Sequence, residues 1–322
     1  MTFLARDREW VQVRDTGPLS LDTLIAALGV EAEQTDATLL RHGGLLLRNT
    51  AVSDAADFER LAACFLETPD AYIGGVSRRS RQHNRVYNTT EAPQGVTIEQ
   101  HLEATHTPRP PARILFHCRR APAQGGETPL ASFVELFDAL PAEIIDRVQG
   151  ESVVYSRQLI DARSRLYKAL PGSIRASLAL SWQEVAETDD YETAIATFEA
   201  AGYDTTRSGR RGIATRCAQP VVSEHPVTGQ PRWYLSDQIT RPLAWYVRLP
   251  RRAMRRWLGM DFSLASGARL PQALLDTVHE TLARLQFRFT WREGDVLVLD
   301  NEQMSHGRAP YAGDRLILTA FG

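Results

Sequence analysis

The stretch GDVLVLDNEQMSHGRAPYAGDRLILTAFG, residues 294–322, contains two apolar runs separated by a polar segment with several turn-forming residues. The first run, at 296–299, is uninterrupted, as in a strand that is buried on both faces. The second run alternates, so that every second residue from Arg315 to Phe321 falls on one face of a strand. Two strands joined by a polar turn predict the β core on which the rest of the chain is assembled.

Two side chains of this stretch are candidates for chemistry. His306 lies in the polar segment, where a glycine-containing turn is predicted, and a turn on a rigid support can project a metal ligand. Arg315 points into the predicted core, which costs free energy unless an anion meets the guanidinium. That anion is either a carboxylate of the protein or the carboxylate of a ligand, which guanidinium geometry suits. The residues alone leave both possibilities open.

A second stretch, IEQHLEATHTP at 98–108, offers further metal ligands. In a strand, His101 and Glu103 share one face because they are two residues apart. Two histidines and one carboxylate on one face, with other positions left open, are the ligand set of non-haem Fe(II) oxygenases. His306 is the predicted third ligand, ahead of His106, which lies off the shared face. A lone HxE also occurs in solvated surface strands, so the spacing by itself does not decide.

Further strand-like runs recur along the chain with polar turns between them. They predict a mainly β protein with a closed or sandwiched antiparallel core and helices packed outside. No GxGxxG sequence follows a strand, which argues against a dinucleotide-binding fold. The runs are ARILFHC (112–118), PRWYLS (231–236), FRFTW (287–291), DVLVLD (295–300) and RLILTAF (315–321).

Three helices are marked by capping residues and by apolar residues at helical spacing. The first is capped by Ser53, the second carries a capping box of Ser132 and Glu135, and the third begins near Pro271. Before the first helix, LLRHGGLLLRN at 39–49 predicts a strand–turn–strand unit around its two glycines. The helices are therefore expected to be few and to flank the β core.

The composition restricts the class of protein. The 322 residues are 43% hydrophobic and 24% charged, as in globular proteins, and the net charge of −2 gives no basis for binding nucleic acid or an acidic membrane. The three cysteines are far apart without a CxxC pair, which suits a reducing compartment. Charges at positions 6 to 9 and the lack of a long apolar run argue against a signal peptide and a membrane span. With no repeat or linker evident, we expect a single cytoplasmic domain over 1–322.

Six elements follow one another in order along nearly the whole chain. They resemble the Fe(II)/2-oxoglutarate-dependent oxygenases of the taurine dioxygenase superfamily, and within it the branch of clavaminate synthase-like and nonribosomal-peptide-associated amino acid hydroxylases. The resemblance implies a mainly β fold with flanking helices around a double-stranded β-helix, or jelly-roll, core. The elements are HGGLLLRN (42–49), DFERLA (57–62), VYNTTEAP (86–93) leading to His101-Leu102-Glu103, ILFHCRRAPAQGGETPLAS (114–132), HPVTGQPRWYLS (225–236) and FTWREGDVLVLDNEQMSHGRAPYAGDRLIL (289–318).

Carried over residue by residue, the resemblance implies an enzyme that uses Fe(II), 2-oxoglutarate and O2. Such an enzyme hydroxylates an unactivated C–H bond of a small molecule while 2-oxoglutarate is decarboxylated to succinate. An amino acid or amino-acid-derived metabolite of secondary metabolism is the implied substrate. The implied iron ligands are His101, Glu103 and His306. The residues implied for the distal carboxylate of 2-oxoglutarate are Thr128, Arg315 and, as a second candidate, Arg308.

The chain departs from the family pattern at three places. Leu102 replaces a frequent Asn, but it is expected to point away from the metal. Residues 104–106 replace an aromatic beside the substrate pocket, so substrate identity does not transfer. Thr319 stands where sulfonate-binding relatives have a second arginine, so taurine is not the expected substrate. Glu103 is present, whereas halogenating relatives carry a small residue there, and hydroxylation is therefore expected over halogenation.

Two alternatives to hydroxylation remain open. Desaturation, epoxidation and other two-electron oxidations use the same ligand set. A non-catalytic metal-binding β-barrel protein is the alternative from another class. Serine and cysteine hydrolases are disfavoured because the chain has no G-x-S-x-G elbow and no cysteine near a plausible base.

Two arginine-rich segments bear on the substrate. In GVSRRSRQHNR at 75–85, we hypothesise that Arg78, Arg79 or Arg81 binds a substrate carboxylate, the alternative being a solvated basic loop. RRAMRR at 251–256 has the pattern of a basic amphipathic helix that could dock an acidic carrier protein bearing an amino acid, the alternative being an ordinary solvated face. Free and carrier-bound substrates both remain open.

Overall fold

A computed structural model of the chain describes residues 1–66, 75, 79–89, 92–172, 175, 181–235, 260–268 and 270–322. The larger of its sheets has eight strands, all paired antiparallel except for the parallel pair of the second and third. In spatial order these strands are β1 (Thr2–Ala5), β2 (Trp10–Asp15), β3 (Gly44–Arg48), β17 (Val296–Asp300), β7 (Arg113–Arg120), β20 (Leu316–Phe321), β5 (Val86–Asn88) and β4 (Arg81–His83).

A smaller sheet faces the larger one across a shared apolar core. Leu46, Phe116 and Leu297 of the larger sheet pack in one buried cluster with Leu130 and Met304 of the smaller sheet. Two facing, mainly antiparallel sheets around one core form the predicted double-stranded β-helix. The strands of the smaller sheet, in spatial order, are β16 (Phe287–Phe289), β9 (Thr128–Ser132), β18 (Met304–Arg308) and β6 (Ile98–His101).

The remaining strands form separate, smaller sheets. A third sheet of four strands lies outside the two main sheets, and two short pairs complete the β structure of the described residues. The third sheet has the order β11 (Asp204–Ser208), β12 (Gly212–Pro220), β10 (Ser152–Leu159) and β15 (Met260–Leu264). The short pairs are β13 (Val222–Glu224) with β14 (Pro231–Trp233), and β8 (Gln124–Gly125) with β19 (Tyr311–Ala312).

Helices cover the outer faces of the sheets. None of those that the structure describes has the length and apolar character that crossing a bilayer requires. The described helices are α1 (Leu21–Val30), α2 (Ala32–His42), α3 (Ala55–Ala62), α4 (Phe133–Ala139), α5 (Ala142–Val148), α6 (Arg165–Ala169), α7 (Trp182–Ala186), α8 (Tyr191–Ala200) and α9 (Gln272–Leu285).

Strand β17 shows why its apolar run is uninterrupted. Leu297 and Leu299 belong to the core between the two sheets. Val296 and Val298 point the other way, into a second buried cluster that includes Phe58 of α3 and residues of α1 and α2. Because both faces of the strand are covered, every side chain must be apolar. The prediction of a strand buried on both faces is confirmed.

The strand–turn–strand unit predicted at 39–49 is wrong in its first half. Residues 39–42 form the last turn of α2, and only β3 is a strand. Gly43 does not lie in a hairpin turn: with φ of 69° it is the left-handed cap of the helix, and its N–H donates to the Leu39 carbonyl at 2.8 Å. The buried side chains of α2, among them Thr35, Thr38 and Leu39, recur at helical spacing, and this longer pattern outweighs the paired glycines.

The predicted helix starts are largely confirmed. Asp54, and not its neighbour Ser53, caps α3, since its side chain accepts from the Asp57 N–H at 2.9 Å. Ser132 caps α4 as predicted, and α9 follows Pro271. The capping box is only half formed because the Glu135 carboxylate instead accepts hydrogen bonds from Arg8 and Trp10.

Candidate metal centre

His306 lies in the middle of β18, so the turn predicted around it is wrong. The strand runs between β9 and β6, where His306 is opposite both Leu130 and His101. The turn was predicted from Gly307, because glycine usually weakens a strand. Here a Cβ at Gly307 would stand 2.6 Å from the Ile98 carbonyl oxygen, so the close backbone approach itself requires glycine.

Three side chains converge between the sheets. The ligand atoms of His101, Glu103 and His306 all lie within 4.8 Å of one another, and no other such group occurs in the described part of the chain. Nε2 of His306 is 3.7 Å from Oε2 of Glu103, and the two imidazole centroids are 4.4 Å apart. All three residues are buried. Strand β6 ends at His101, so Glu103 reaches the cluster from the turn that follows.

The protonation states of His101 and Glu103 suit metal binding. His101 donates its Nδ1–H to the Glu99 carbonyl at 2.8 Å, which leaves Nε2 as the ligand atom. Burial, and then the His306 charge, lower the pKa of His101 to about 3, so this imidazole is neutral. Burial raises the pKa of Glu103, but the Arg79 guanidinium and the two histidines outweigh it and hold the pKa well below its usual range. Neutral imidazoles and an ionised carboxylate are the forms that bind a metal ion.

Asn301 fixes the backbone of Glu103. Its Oδ1 accepts from the Glu103 N–H at 2.7 Å, while its Nδ2 donates to the carbonyls of Glu103 at 3.1 Å and Pro111 at 2.7 Å. The amide is buried and all of these bonds are internal. Asn301 follows Asp300 at the end of β17, a position from which no role could be predicted in the sequence. A side chain that holds a candidate ligand this way sets where its carboxylate points.

We expect Asn301→Ala to weaken metal binding by roughly 10–100-fold, the usual effect of losing a hydrogen bond that orients a ligand. It should also lower the free energy of unfolding by about 1–3 kcal/mol because buried backbone groups lose their partners. Mn(II) titration followed by electron paramagnetic resonance, together with urea unfolding, measures both. Asn84→Ala removes an exposed amide bonded to Glu59 and is the matched control. Unchanged Mn(II) affinity in Asn301→Ala would show that the carboxylate needs no such support.

Arg315, just before β20, is a cationic side chain without an acidic partner among the described residues. Nε of Arg315 is buried without a hydrogen-bond partner, and no carboxylate of the described residues pairs with its guanidinium. Burial, and then the neighbouring Arg308 charge, lower the pKa of Arg315 to about 10. The Arg315 guanidinium lies 5.6 Å from the centre of the Tyr311 ring. The aliphatic part of the side chain passes Gly126, where an added Cβ would stand 3.3 Å from Arg315 Cδ. The internal carboxylate that could have neutralised Arg315 is therefore not among the described residues.

Arg308 has a different role. It donates to the carbonyls of Ala92 and Pro93 at 3.0 and 2.7 Å and to that of Val96 at 2.9 Å. These bonds use both terminal nitrogens and fasten the segment 92–96 to β18. Arg308 therefore stabilises the segment 92–96 beside β18, whereas the guanidinium of Arg315 has no acidic partner among the described residues.

Thr128 is buried in β9, the strand that pairs with β18. It is two residues along β9 from Leu130, which is opposite His306, so all three face the interior.

The arginines predicted to bind substrate lie in different environments in the structure. Arg79 is buried and its Nη2 lies 2.8 Å from Oε2 of Glu103, within the cluster. Arg81 is half-exposed and pairs with Glu187 at 2.5 Å, away from the cluster. Arg78 and the basic segment 251–256 lie outside the described residues.

His106 is not part of the cluster, in agreement with its lower rank as a ligand. Its ring is 6.5 Å from that of Tyr155, and both side chains line one pocket. The pocket is otherwise lined mainly by apolar and aromatic side chains, including Leu159, Val185, Phe198 and Tyr203.

Comparison with known proteins gives one consistent result. The family model described as "Taurine catabolism dioxygenase TauD, TfdA family" matches residues 10–321. The dapdiamide synthesis protein DdaC of Enterobacter agglomerans is 25% identical over 291 residues, covering 88% of this chain and 83% of that protein. A clavaminate synthase-like protein of Arabidopsis thaliana is 23% identical over 310 residues, covering 94% and 88%. The crystal structure of AAD-2 in complex with Mn(II) and N-oxalylglycine superposes with a TM-score of 0.57 at 16% identity, covering 96% of this chain and 92% of that one.

Proposed function

The chain belongs to the taurine catabolism dioxygenase TauD, TfdA family and is a 2-oxoglutarate-dependent dioxygenase, and on this premise we propose that it hydroxylates an amino acid or an amino-acid-derived metabolite in secondary metabolism. The reaction consumes O2 and converts 2-oxoglutarate to succinate. The relative named for dapdiamide synthesis supports a biosynthetic role. Desaturation or epoxidation of the same class of substrate is the second candidate, since it needs the same ligands.

One observation carries this proposal: His101, Glu103 and His306 form a buried cluster of ligand atoms, while Arg315, just before β20, is a guanidinium with no acidic partner among the described residues. Two imidazoles and one carboxylate suit Fe(II) and leave coordination positions for other ligands. A partly buried guanidinium without an acidic partner suits the far carboxylate of a dicarboxylic acid. A protein that only binds a metal needs the cluster but not the guanidinium, whereas an oxygenase that also binds a dicarboxylic acid needs both.

In the proposed mechanism, His101, Glu103 and His306 hold the metal and Asn301 fixes the direction of the carboxylate. Fe(II) with 2-oxoglutarate supplies the oxidising power of the reaction when bound. Arg315 and Thr128 hold the distal carboxylate of the diacid, which fixes its orientation relative to the metal. The apolar side chains of the interior, including Phe116 with its ring 5.0 Å from that of His306, exclude water from the reacting atoms.

Anaerobic addition of Fe(II) and 2-oxoglutarate tests the proposed activity. The enzyme is expected to develop a weak visible charge-transfer band and to release succinate once oxygen is admitted. Amino acids and their derivatives are then screened for stimulated succinate release, and the product is identified by mass spectrometry. A gain of one oxygen atom indicates hydroxylation or epoxidation, and a loss of two hydrogens indicates desaturation. No band and no succinate would favour the non-catalytic metal-binding protein instead.

For the substrate, we propose that Arg79 binds a carboxylate in the reactive complex. Its guanidinium already lies beside Glu103, whereas Arg81 is paired on the surface. With a substrate found by the screen, Arg79→Ala is expected to raise KM while Arg81→Ala serves as the matched control. Equal kinetics of Arg79→Ala and the unchanged enzyme would rule out this role. A carrier-bound substrate, the cytoplasmic location and the single domain over 1–322 stay predictions from the sequence.

A further inference from the structure

The Thr128 hydroxyl has its hydrogen-bonding polarity set by a neighbour. Trp291 donates its indole Nε1–H to Thr128 Oγ1 at 3.0 Å, and both residues are buried. An indole can only donate, so the threonine oxygen must act as the acceptor in this contact. The hydroxyl proton then has to point elsewhere, and Thr128 forms no second side-chain hydrogen bond within the described residues.

The indole that imposes this polarity is itself fixed. Trp291 is 3% exposed and packs edge-on against Phe289, with ring centroids 4.7 Å apart. Phe289 in β16 is the strand partner of Thr128 in β9. The hydroxyl therefore lies on β9, and the donor follows the end of the paired strand β16 by two residues, where its burial and its contact with Phe289 hold the indole in place.

We propose that Trp291 is a positioning residue that makes the Thr128 hydroxyl a hydrogen-bond donor to the distal carboxylate of 2-oxoglutarate. This inference rests on the proposed function, because it assumes that the diacid binds with that carboxylate at Thr128 and Arg315. A hydroxyl that already accepts one bond offers its proton to an acceptor, and a carboxylate is acceptor-only. Selectivity for a dicarboxylic acid therefore depends partly on an indole that does not touch the ligand.

Isothermal titration of the Mn(II)-loaded protein without oxygen tests the proposal. Two ligands are compared: 2-oxoglutarate, and 2-oxopentanoate, which carries a methyl group in place of the distal carboxylate. The variants are Thr128→Val, Trp291→Phe and the double variant. Trp182→Phe removes another buried indole bond, to the Arg211 carbonyl at 2.9 Å, and is the control for the general effect of the substitution.

We expect Thr128→Val to weaken 2-oxoglutarate binding by about 10–100-fold, the range for a hydrogen bond to a charged group. Trp291→Phe should weaken it by about fivefold or more, while the affinity for 2-oxopentanoate stays unchanged. Because both substitutions act through one hydroxyl, the double variant should bind 2-oxoglutarate no more weakly than Thr128→Val alone.

The outcomes separate this inference from the proposed function. If Trp291→Phe keeps the full preference for 2-oxoglutarate over 2-oxopentanoate, or weakens both ligands equally, Trp291 has no positioning role. Additive losses in the double variant would contradict it as well. If the unchanged protein shows no preference for 2-oxoglutarate, the binding of this cosubstrate is itself wrong, and the inference falls with it.

Discussion

Substitution of His306 by alanine is expected to abolish metal-dependent succinate production. The variant loses one of three ligands, so its affinity for Mn(II) should fall by a thousandfold or more, well beyond the ~10–100-fold effect of a lost supporting hydrogen bond. The remaining pair, His101 and Glu103, cannot by itself form the facial ligand set. Electron paramagnetic resonance titration with Mn(II) measures the affinity, and a coupled assay measures succinate.

A second buried histidine provides the control for this substitution. His42 is 8% exposed, its Nδ1 donates to the Glu9 carbonyl at 2.8 Å, and it is not a member of the cluster. His42→Gln should lose some stability but retain Mn(II) affinity and succinate production. If His306→Ala still binds Mn(II) as tightly as His42→Gln does, the metal does not use His306, and the proposed centre is wrong.

The groups of the candidate site were open to prediction because their residue types are uncommon in a core. An imidazole beside a carboxylate in HxE, and an arginine heading an apolar strand, are costly inside a protein unless they have a partner. The cost marked them as candidates, the resemblance to the oxygenase family implied their roles, and the structure places His101, Glu103 and His306 in one cluster.

The supporting residues were not open to prediction in the same way. Asn301 holds Glu103 across 198 positions of the chain, and Trp291 reaches Thr128 across 163. An asparagine after a strand and a tryptophan in an apolar run are ordinary in their local context. Contacts between residues so far apart leave no periodic pattern in the sequence, so they can be identified only in the folded structure.

The elements of the fold likewise include some that could be predicted from the sequence and some that could not. Strands β17 and β20 have patterns of burial that follow from the two faces of a strand, and both were predicted. The errors occurred at glycines. Gly43 caps a helix and Gly307 lies inside a strand, yet both were interpreted as turns. Glycine permits all three conformations, and which one occurs depends on the neighbouring strands.

Substitution of Arg315 by methionine should change stability and ligand binding in opposite directions. Its pKa, lowered to about 10 by burial and by Arg308, corresponds to a cost of at most about 3 kcal/mol for the charged form. Partial exposure of the side chain reduces that cost. Because the lowered pKa still lies above neutral pH, the guanidinium is charged in both the folded and the unfolded chain at pH 7. The whole cost is therefore present there and declines only as the pH rises through 10.

Methionine removes this charge at similar length, so the ligand-free variant should gain about 1–2 kcal/mol in its free energy of unfolding. Its affinity for 2-oxoglutarate should fall about a hundredfold, since the distal carboxylate loses its buried cation. Thermal unfolding of the Mn(II)-loaded protein with and without 2-oxoglutarate measures both effects, and the exposed Arg120, paired with Asp314, provides the neutral control Arg120→Met. Arg315→Lys keeps the charge but not the forked geometry and should bind 2-oxoglutarate with intermediate affinity. If ligand-free Arg315→Met has a lower free energy of unfolding than the unchanged protein, Arg315 supports the fold. A guanidinium that serves only to bind a ligand would instead destabilise the ligand-free protein.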